Sequence, residues 1–149
     1  MSAPIHIRQN RPDDVPRLFA IWRDAVAATH DFVSAEDRAA IAVAVETEYL
    51  PTASLLVAVD GDDRPVGFLG GDDNEIDAIF IDPAFHGAGI GTALIDQFLA
   101  NKQGPFWVEV NEANGDAIRF YEKRGFVTVE RIATDRQGRA YPLLRLRRD

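Results

Sequence analysis

Ala78-Ile79-Phe80-Ile81-Asp82-Pro83-Ala84-Phe85-His86-Gly87-Ala88-Gly89-Ile90-Gly91-Thr92-Ala93-Leu94-Ile95-Asp96-Gln97-Phe98 is the stretch on which the reading of this chain turns. It reads as a buried strand, a glycine-rich turn and an amphipathic helix. Ala78 to Ile81 is an apolar run that Asp82-Pro83 must stop, because proline cannot continue a central ladder. Gly87, Gly89 and Gly91 allow positive φ and let a ligand approach the backbone closely. The helix behind them offers unpaired N–H groups and the positive end of its dipole, which together suit an anion. The spacing therefore predicts a phosphate cradle near the middle of the chain.

The bulk properties narrow what such a cradle could serve. A length of 149 residues suits one domain, 1–149, that buries roughly two-thirds of its unfolded surface. The absence of cysteine excludes disulfides, thiolate metal sites and a cysteine nucleophile. His6, His30 and His86 lack ligand spacing, so no metal is expected. Met1 to Asn10 has no signal-peptide core and no apolar run approaches a membrane span, which predicts a cytoplasmic protein without a membrane partner. A net charge of −8 argues against nucleic acid as a partner, since phosphate backbones need a basic surface.

Outward from the central stretch, hydrophobic periodicity sets the element order. Ile5 and Ile7 alternate with polar neighbours, which predicts a first strand. Arg11-Pro12-Asp13-Asp14 turns into a helix with Asp13 as N-cap, and Val15, Leu18, Phe19, Trp22 and Val26 follow at helical spacing. Thr29 to Val33 is a loop. A second helix starts at Ser34 with a capping box closed by Asp37, and is expected to end before Pro51. Ser54 to Val59 and Val66 to Leu69 form a hairpin, with Gly70-Gly71-Asp72-Asp73 as the turn into the central strand. After the helix carrying Leu94, Ile95, Phe98 and Leu99 come a strand over Phe106 to Val110 and a helix over Gly115 to Arg124, capped by Gly125. Strands over Phe126 to Ile132 and Leu143 to Leu146 complete the order β-α-α-β-β-β-α-β-α-β-β. Hairpins mixed with crossovers predict an α+β chain with a mixed, largely antiparallel sheet of six to seven strands and about four helices.

Three nucleotide-binding patterns compete for Gly87-Ala88-Gly89-Ile90-Gly91-Thr92. A P-loop requires a lysine before Ser or Thr, and none is present. A dinucleotide fingerprint places Thr92 or Leu94 where its third glycine or alanine belongs, although Glu109 falls where an acidic ribose partner could stand. The third pattern fits better. His86-Gly87-Ala88-Gly89-Ile90-Gly91 resembles motif A of the GNAT N-acetyltransferases, Q/R-x-x-G-x-G/A, with His86 in the place usually held by Gln or Arg. Asn114-Gly115-Asp116-Ala117-Ile118-Arg119-Phe120-Tyr121-Glu122-Lys123-Arg124-Gly125-Phe126 resembles the same family's N-x-x-A-x-x-F-Y-x-x-x-G-F. Ala20-Ile21-Trp22, Ala28 to Phe32, Pro65 to Phe68, Phe80 to Pro83 and Tyr141 to Leu144 look like segments of its YjaB-type branch.

The resemblance implies a GNAT fold and transfer of an acetyl group from acetyl-CoA to a protein lysine or small amine by direct attack. It assigns His86, Gly87, Ala88, Gly89, Ile90, Gly91 and Thr92 to the pyrophosphate cradle. The carbonyl-polarising amide falls on Ile79, Phe80 or Ile81, cofactor contact on Asn114, and the general acid on Tyr121. His30, Asp31 and Asn111 fall at the acceptor, and Lys123 or Arg124 could meet the 3′-phosphate. A lysine-like amine with a pKa of about 10.4 costs about 4.6 kcal/mol to deprotonate at pH 7. Glu75, Asp77 and Glu109 are therefore candidate bases, directly or through water. Each residue has a plainer reading: Tyr121 as a core aromatic, Asn114 as a helix cap, the carboxylates as solvated strand residues. A catalytically weak acyl-CoA sensor is the alternative to an enzyme, and the chain could act as monomer or homodimer.

Overall fold

The computed structural model describes residues 5–149. Among them a seven-stranded sheet runs in the order β1-β2-β3-β4-β5-β7-β6. Its strands are β1 (His6–Gln9), β2 (Leu55–Val59), β3 (Pro65–Asp72), β4 (Glu75–Ile81), β5 (Phe106–Asn111), β6 (Val127–Ile132) and β7 (Leu143–Arg148). Four main helices accompany it: α1 (Val15–Thr29), α2 (Ala35–Ala44), α3 (Ile90–Leu99) and α4 (Gly115–Glu122). The element order and mixed sheet match the expectation. All neighbours pair antiparallel except β4 and β5.

Helices cover both faces of the sheet. Leu94, Ile95 and Phe98 of α3 and Tyr121 of α4 bury against Leu69, Ile76, Val108 and Leu146. On the other face, Leu18, Ile21, Trp22 and Val26 of α1 meet Val57, Val59 and Phe68. Ile21 widens the helical stripe read from sequence, since a core-facing helix buries more than its i, i+4 line. Fully burying one such side chain contributes roughly 1.5–3 kcal/mol.

Several local expectations need correction. Asp14, rather than Asp13, organises the start of α1: it accepts the Arg11 N–H at 2.7 Å and holds the Arg8 guanidinium at 2.8 and 3.0 Å. The capping box at α2 is half formed. Ser34 Oγ accepts from the Asp37 N–H, while the Asp37 carboxylate receives the Tyr141 hydroxyl. Helical backbone passes through Pro51 to Thr52, because a wide turn over Val45–Tyr49 precedes it. Pro51 thereby sits in the first turn of a new segment, where its missing N–H costs nothing. α4 ends at Glu122, and Gly125 (φ +89°) closes the turn beyond it.

Gly70-Gly71-Asp72 continues β3, and the turn falls at Asp73-Asn74. These glycines serve close packing rather than turning: a Cβ at Gly70 would lie 1.9 Å from the Tyr49 hydroxyl, and one at Gly71 would lie 2.7 Å from Phe98. The Tyr49 hydroxyl is itself buried without a partner, so it carries a desolvation cost. Gly70→Ala is expected to destabilise the fold by about 1–3 kcal/mol through overpacking. Adding Tyr49→Phe should return most of that loss, as read by urea denaturation of the single and double variants.

Candidate active site

The site begins where the sheet opens. β4 and β5 pair only at Glu75 with Trp107 and Ile76 with Val108. Beyond Ile76, β4 stays with β3 while β5 stays with β7 through Asn111, so the two strands part. A bulge accompanies the parting: Ile76 pairs with Gly71 and Ala78 with Gly70, leaving Asp77 as the extra residue. Such a residue reverses which way the later peptide groups face. The Asp82 N–H bonds to Val66 on β3. By alternation Phe80 and Ala78 also face β3, and the N–H groups of Ile79 and Ile81 face the opening. Of the three expected positions, Phe80 is therefore excluded as an amide donor into the opening. Its ring instead packs on Phe68, with 5.6 Å between centroids.

The glycine turn follows directly. Gly87 (φ +81°) and Gly89 (φ +78°) are left-handed, and a Cβ at either would meet open space. Gly89 is the N-cap of α3 and offers no side chain to the first turn. The N–H groups of Ile90, Gly91 and Thr92 therefore lack intrahelical partners and stay available to an anion. The amides of His86 and Ala88 do not share this freedom, because they bond to Pro83 and Phe85 within the turn. The expectation for that loop thus contracts to Gly87 and residues 89–92, with the exposed His86 contributing at most its ring.

Arg124 adds a cation to this end of α3. Its guanidinium lies 4.0 Å from the centre of the Phe120 ring, donates to the Phe120 carbonyl at 3.1 Å and bonds to Thr92 Oγ1. Its Nε is buried without an acceptor. Asn114 caps α4 through Oδ1, which accepts from the Ala117 N–H at 3.2 Å. Tyr121 is buried in the cluster against which Ile79 and Ile81 pack. Burial pushes its hydroxyl well above the ordinary phenol range, so it holds its proton at neutral pH.

On the opposite face of the sheet, Phe80 of β4 and Asn111 of β5 line one cavity of about 190 Å³. Trp22 and Val26 of α1, His30, Arg38, Asp135 and Tyr141 complete much of its wall. His30 and Asn111 thus come together in one cavity, whereas Asp31 is exposed and does not line it. Thr29 Oγ1 gives its single proton to the Ala25 carbonyl at 2.8 Å and lies 2.7 Å from His30 Nδ1. In the tautomer where Nδ1 donates to that hydroxyl oxygen, the Nε2 lone pair is free. Burial, and secondarily the charge of Arg38, lowers the His30 pKa and keeps the ring neutral.

The candidate carboxylates fare differently. Arg136 bonds to Glu75 at 2.9 Å and Glu109 at 2.5 Å, and Arg145 approaches Glu109 at 3.4 Å. Both glutamates are held in ion pairs at the closed end of the strand pair. Asp77 sits in the bulge. Desolvation there, then the charge of Glu75, raises its pKa. Arg38, Asp135 and Arg136 carried no sequence signal: the last two lie on the β6–β7 loop, which only the fold brings to the sheet opening.

A family profile described as an acetyltransferase (GNAT) domain matches residues 51–128. The peptidyl-lysine N-acetyltransferase YjaB of Salmonella typhimurium is 44% identical over 142 residues, covering 95% of this chain and 97% of that protein. The chain belongs to the GNAT acetyltransferase family. Its Escherichia coli relative of the same name is 42% identical over 95% of both chains. The solution structure of apo YjaB from E. coli superposes with a TM-score of 0.90, covering 97% of each chain at 42% identity. The PaiA N-acetyltransferase of Thermoplasma acidophilum, solved with coenzyme A, shares the fold alone (TM-score 0.75, 20% identity, covering 95% and 98%). GNAT acetyltransferases use acetyl-CoA, and the glycine turn of this chain fits such an anion by its unpaired amides and neighbouring guanidinium.

One substitution separates cradle from scaffold. Thr92→Asp puts a carboxylate in the first turn of α3, beside Arg124, where a helix gains roughly 0.3–1 kcal/mol from it. The same charge would repel a pyrophosphate. The melting temperature should hold or rise while coenzyme A affinity falls at least tenfold by titration calorimetry. Unchanged affinity would place the pyrophosphate elsewhere.

Proposed function

We propose that this GNAT enzyme transfers the acetyl group of acetyl-CoA to a primary amine by direct attack in a ternary complex. The observation that carries the reading is the opening between β4 and β5: unpaired Ile79 and Ile81 amides face it, with the glycine turn continuing β4 and the His30 cavity against it. The YjaB relatives are named for acetylation of peptidyl lysine, which supports that acceptor class beside a small amine.

In the proposed sequence the amine nitrogen attacks the thioester carbon, and the carbonyl oxygen gains charge against the Ile79 or Ile81 N–H. Such a pre-placed donor contributes a few kcal/mol to the transition state. The neutral His30 Nε2, directly or through one water, takes the ammonium proton. It suits this role better than Glu75 or Glu109, whose charges are engaged by arginines, or Asp77, which does not line the cavity. Collapse of the tetrahedral adduct breaks the carbon–sulfur bond, and the Tyr121 hydroxyl protonates the departing sulfur. The second proton lost by the nitrogen as it becomes an amide restores Tyr121 through solvent. A buried phenol is a weak acid, but a thiolate forming in the same low-dielectric pocket is correspondingly basic.

Thiol release across an amine panel tests the activity, and release with no amine alongside tight acetyl-CoA binding would reduce the chain to a sensor. Tyr121→Phe is expected to lower kcat by about a hundredfold with acetyl-CoA affinity nearly intact. Because the His30 pKa is lowered, kcat should rise with pH through an acid limb centred below about 6.5, the ordinary histidine value. In His30→Gln that limb should vanish.

A further inference from the structure

We propose that Arg38 makes the cavity beside the sheet opening a receptor for an acceptor amine that also carries a carboxylate. This rests on the acetyl-transfer reading above and narrows its substrate class. Arg38 lines the cavity from α2, half-buried, and one of its amino groups donates to the His30 carbonyl at 2.9 Å. Its Nε is buried with no acceptor, and among the described residues the guanidinium forms no ion pair. The chain has 24 acidic residues against 16 basic ones, yet Arg38, Arg124 and Arg148 are half-buried without an ion pair among the described residues. Of these Arg38 lines the cavity, where an uncompensated guanidinium calls for a ligand.

Nearby carboxylates are committed elsewhere. Asp37 receives the Tyr141 hydroxyl and lies 3.6 Å from Arg139. Asp135 lines the same cavity, but its Oδ1 accepts the backbone N–H groups of Gln137 at 2.9 Å and Arg139 at 2.8 Å. Its Oδ2 lies 3.6 Å from the Arg139 guanidinium. The remaining wall is apolar or neutral: Trp22, Val26, Phe80, Leu143 and Asn111. A guanidinium in such surroundings is a planar fork matched to a carboxylate and repels a second cation. The cavity volume, about 190 Å³, is below the ~300–1,000 Å³ of sites for drug-sized ligands. It therefore takes a small amino acid, or one acidic side chain beside a peptide lysine, rather than a long polyamine.

The test measures kcat/KM by thiol release for ω-amino acids from glycine to 6-aminohexanoate, each against the alkylamine lacking the carboxylate. A second arm compares capped Glu-Lys and Gln-Lys dipeptides, which separates free amino acids from acidic peptides as the source. At least one carboxylate-bearing acceptor should exceed its partner tenfold or more. In Arg38→Gln that ratio should fall to near one through a rise in KM, with acetyl-CoA affinity and melting temperature retained; Arg38→Lys should be intermediate. A wild-type ratio near one in every pair, or a preference that survives Arg38→Gln, overturns the proposal. If no amine reacts, the acetyl-transfer reading fails separately. Calorimetry with the N-acetylated ω-amino acids and N-acetylalkylamines then decides: binding that needs both carboxylate and Arg38 supports the receptor, and equal binding refutes it.

Discussion

The structure depends on one interrupted ladder. A parallel strand pair inside a sheet normally continues until a chain end or turn stops it, because an unpaired buried peptide group costs about 1–3 kcal/mol. Here β4 and β5 stop pairing after Ile76 and Val108 although both strands run on. The Asp77 bulge turns Ile79 and Ile81 outward at that point, so their amides are left for something other than the sheet. The glycine turn extends from the end of β4, and the His30 cavity lies against the same opening. In the proposed mechanism the carbonyl donor, the anion cradle and the acceptor chamber are all set by where two strands part.

Electrostatics divides the same region into compartments. Arg136 and Arg145 neutralise Glu75 and Glu109 at the closed end of the strand pair. Arg124 stands by the first turn of α3, where helix dipole and guanidinium act in the same sense on an anion. Arg38 stands in the His30 cavity without an ion-pair partner among the described residues and helps keep His30 neutral. Four arginines in an acidic chain therefore sit at three places, where in the proposed reading a pyrophosphate, a pair of glutamates and a carboxylate meet them.

Much of this was legible in the residues. Glycine spacing before an amphipathic helix, and Asn114 to Phe126 behind it, gave the family pattern because both motifs are local: each needs only its own turn and helix. The element order followed from periodicity for the same reason. Features set by distant partners were not legible. Gly70-Gly71 looks like a turn until Tyr49 and Phe98 are placed over it. Pro51 looks like a helix stop until the wide turn at Val45–Tyr49 is known. The glutamates looked like free bases because their arginines are 27 to 61 positions away or come from another strand. Arg38 looked like one more charged helix residue, since its isolation depends on Asp37 being claimed by Tyr141, 104 positions further on.

Amide hydrogen exchange resolved by residue reads the parting of β4 and β5 at its own peptide groups. Slow exchange is expected at Ala78 and Phe80 with and without acetyl-CoA, because both face β3 in the ladder. Fast exchange is expected at Ile79 and Ile81 in the free protein, slowed at one or both when acetyl-CoA is added. Protection of Ile79 and Ile81 in the free protein, or exchange there that acetyl-CoA leaves unchanged, would contradict their role as donors.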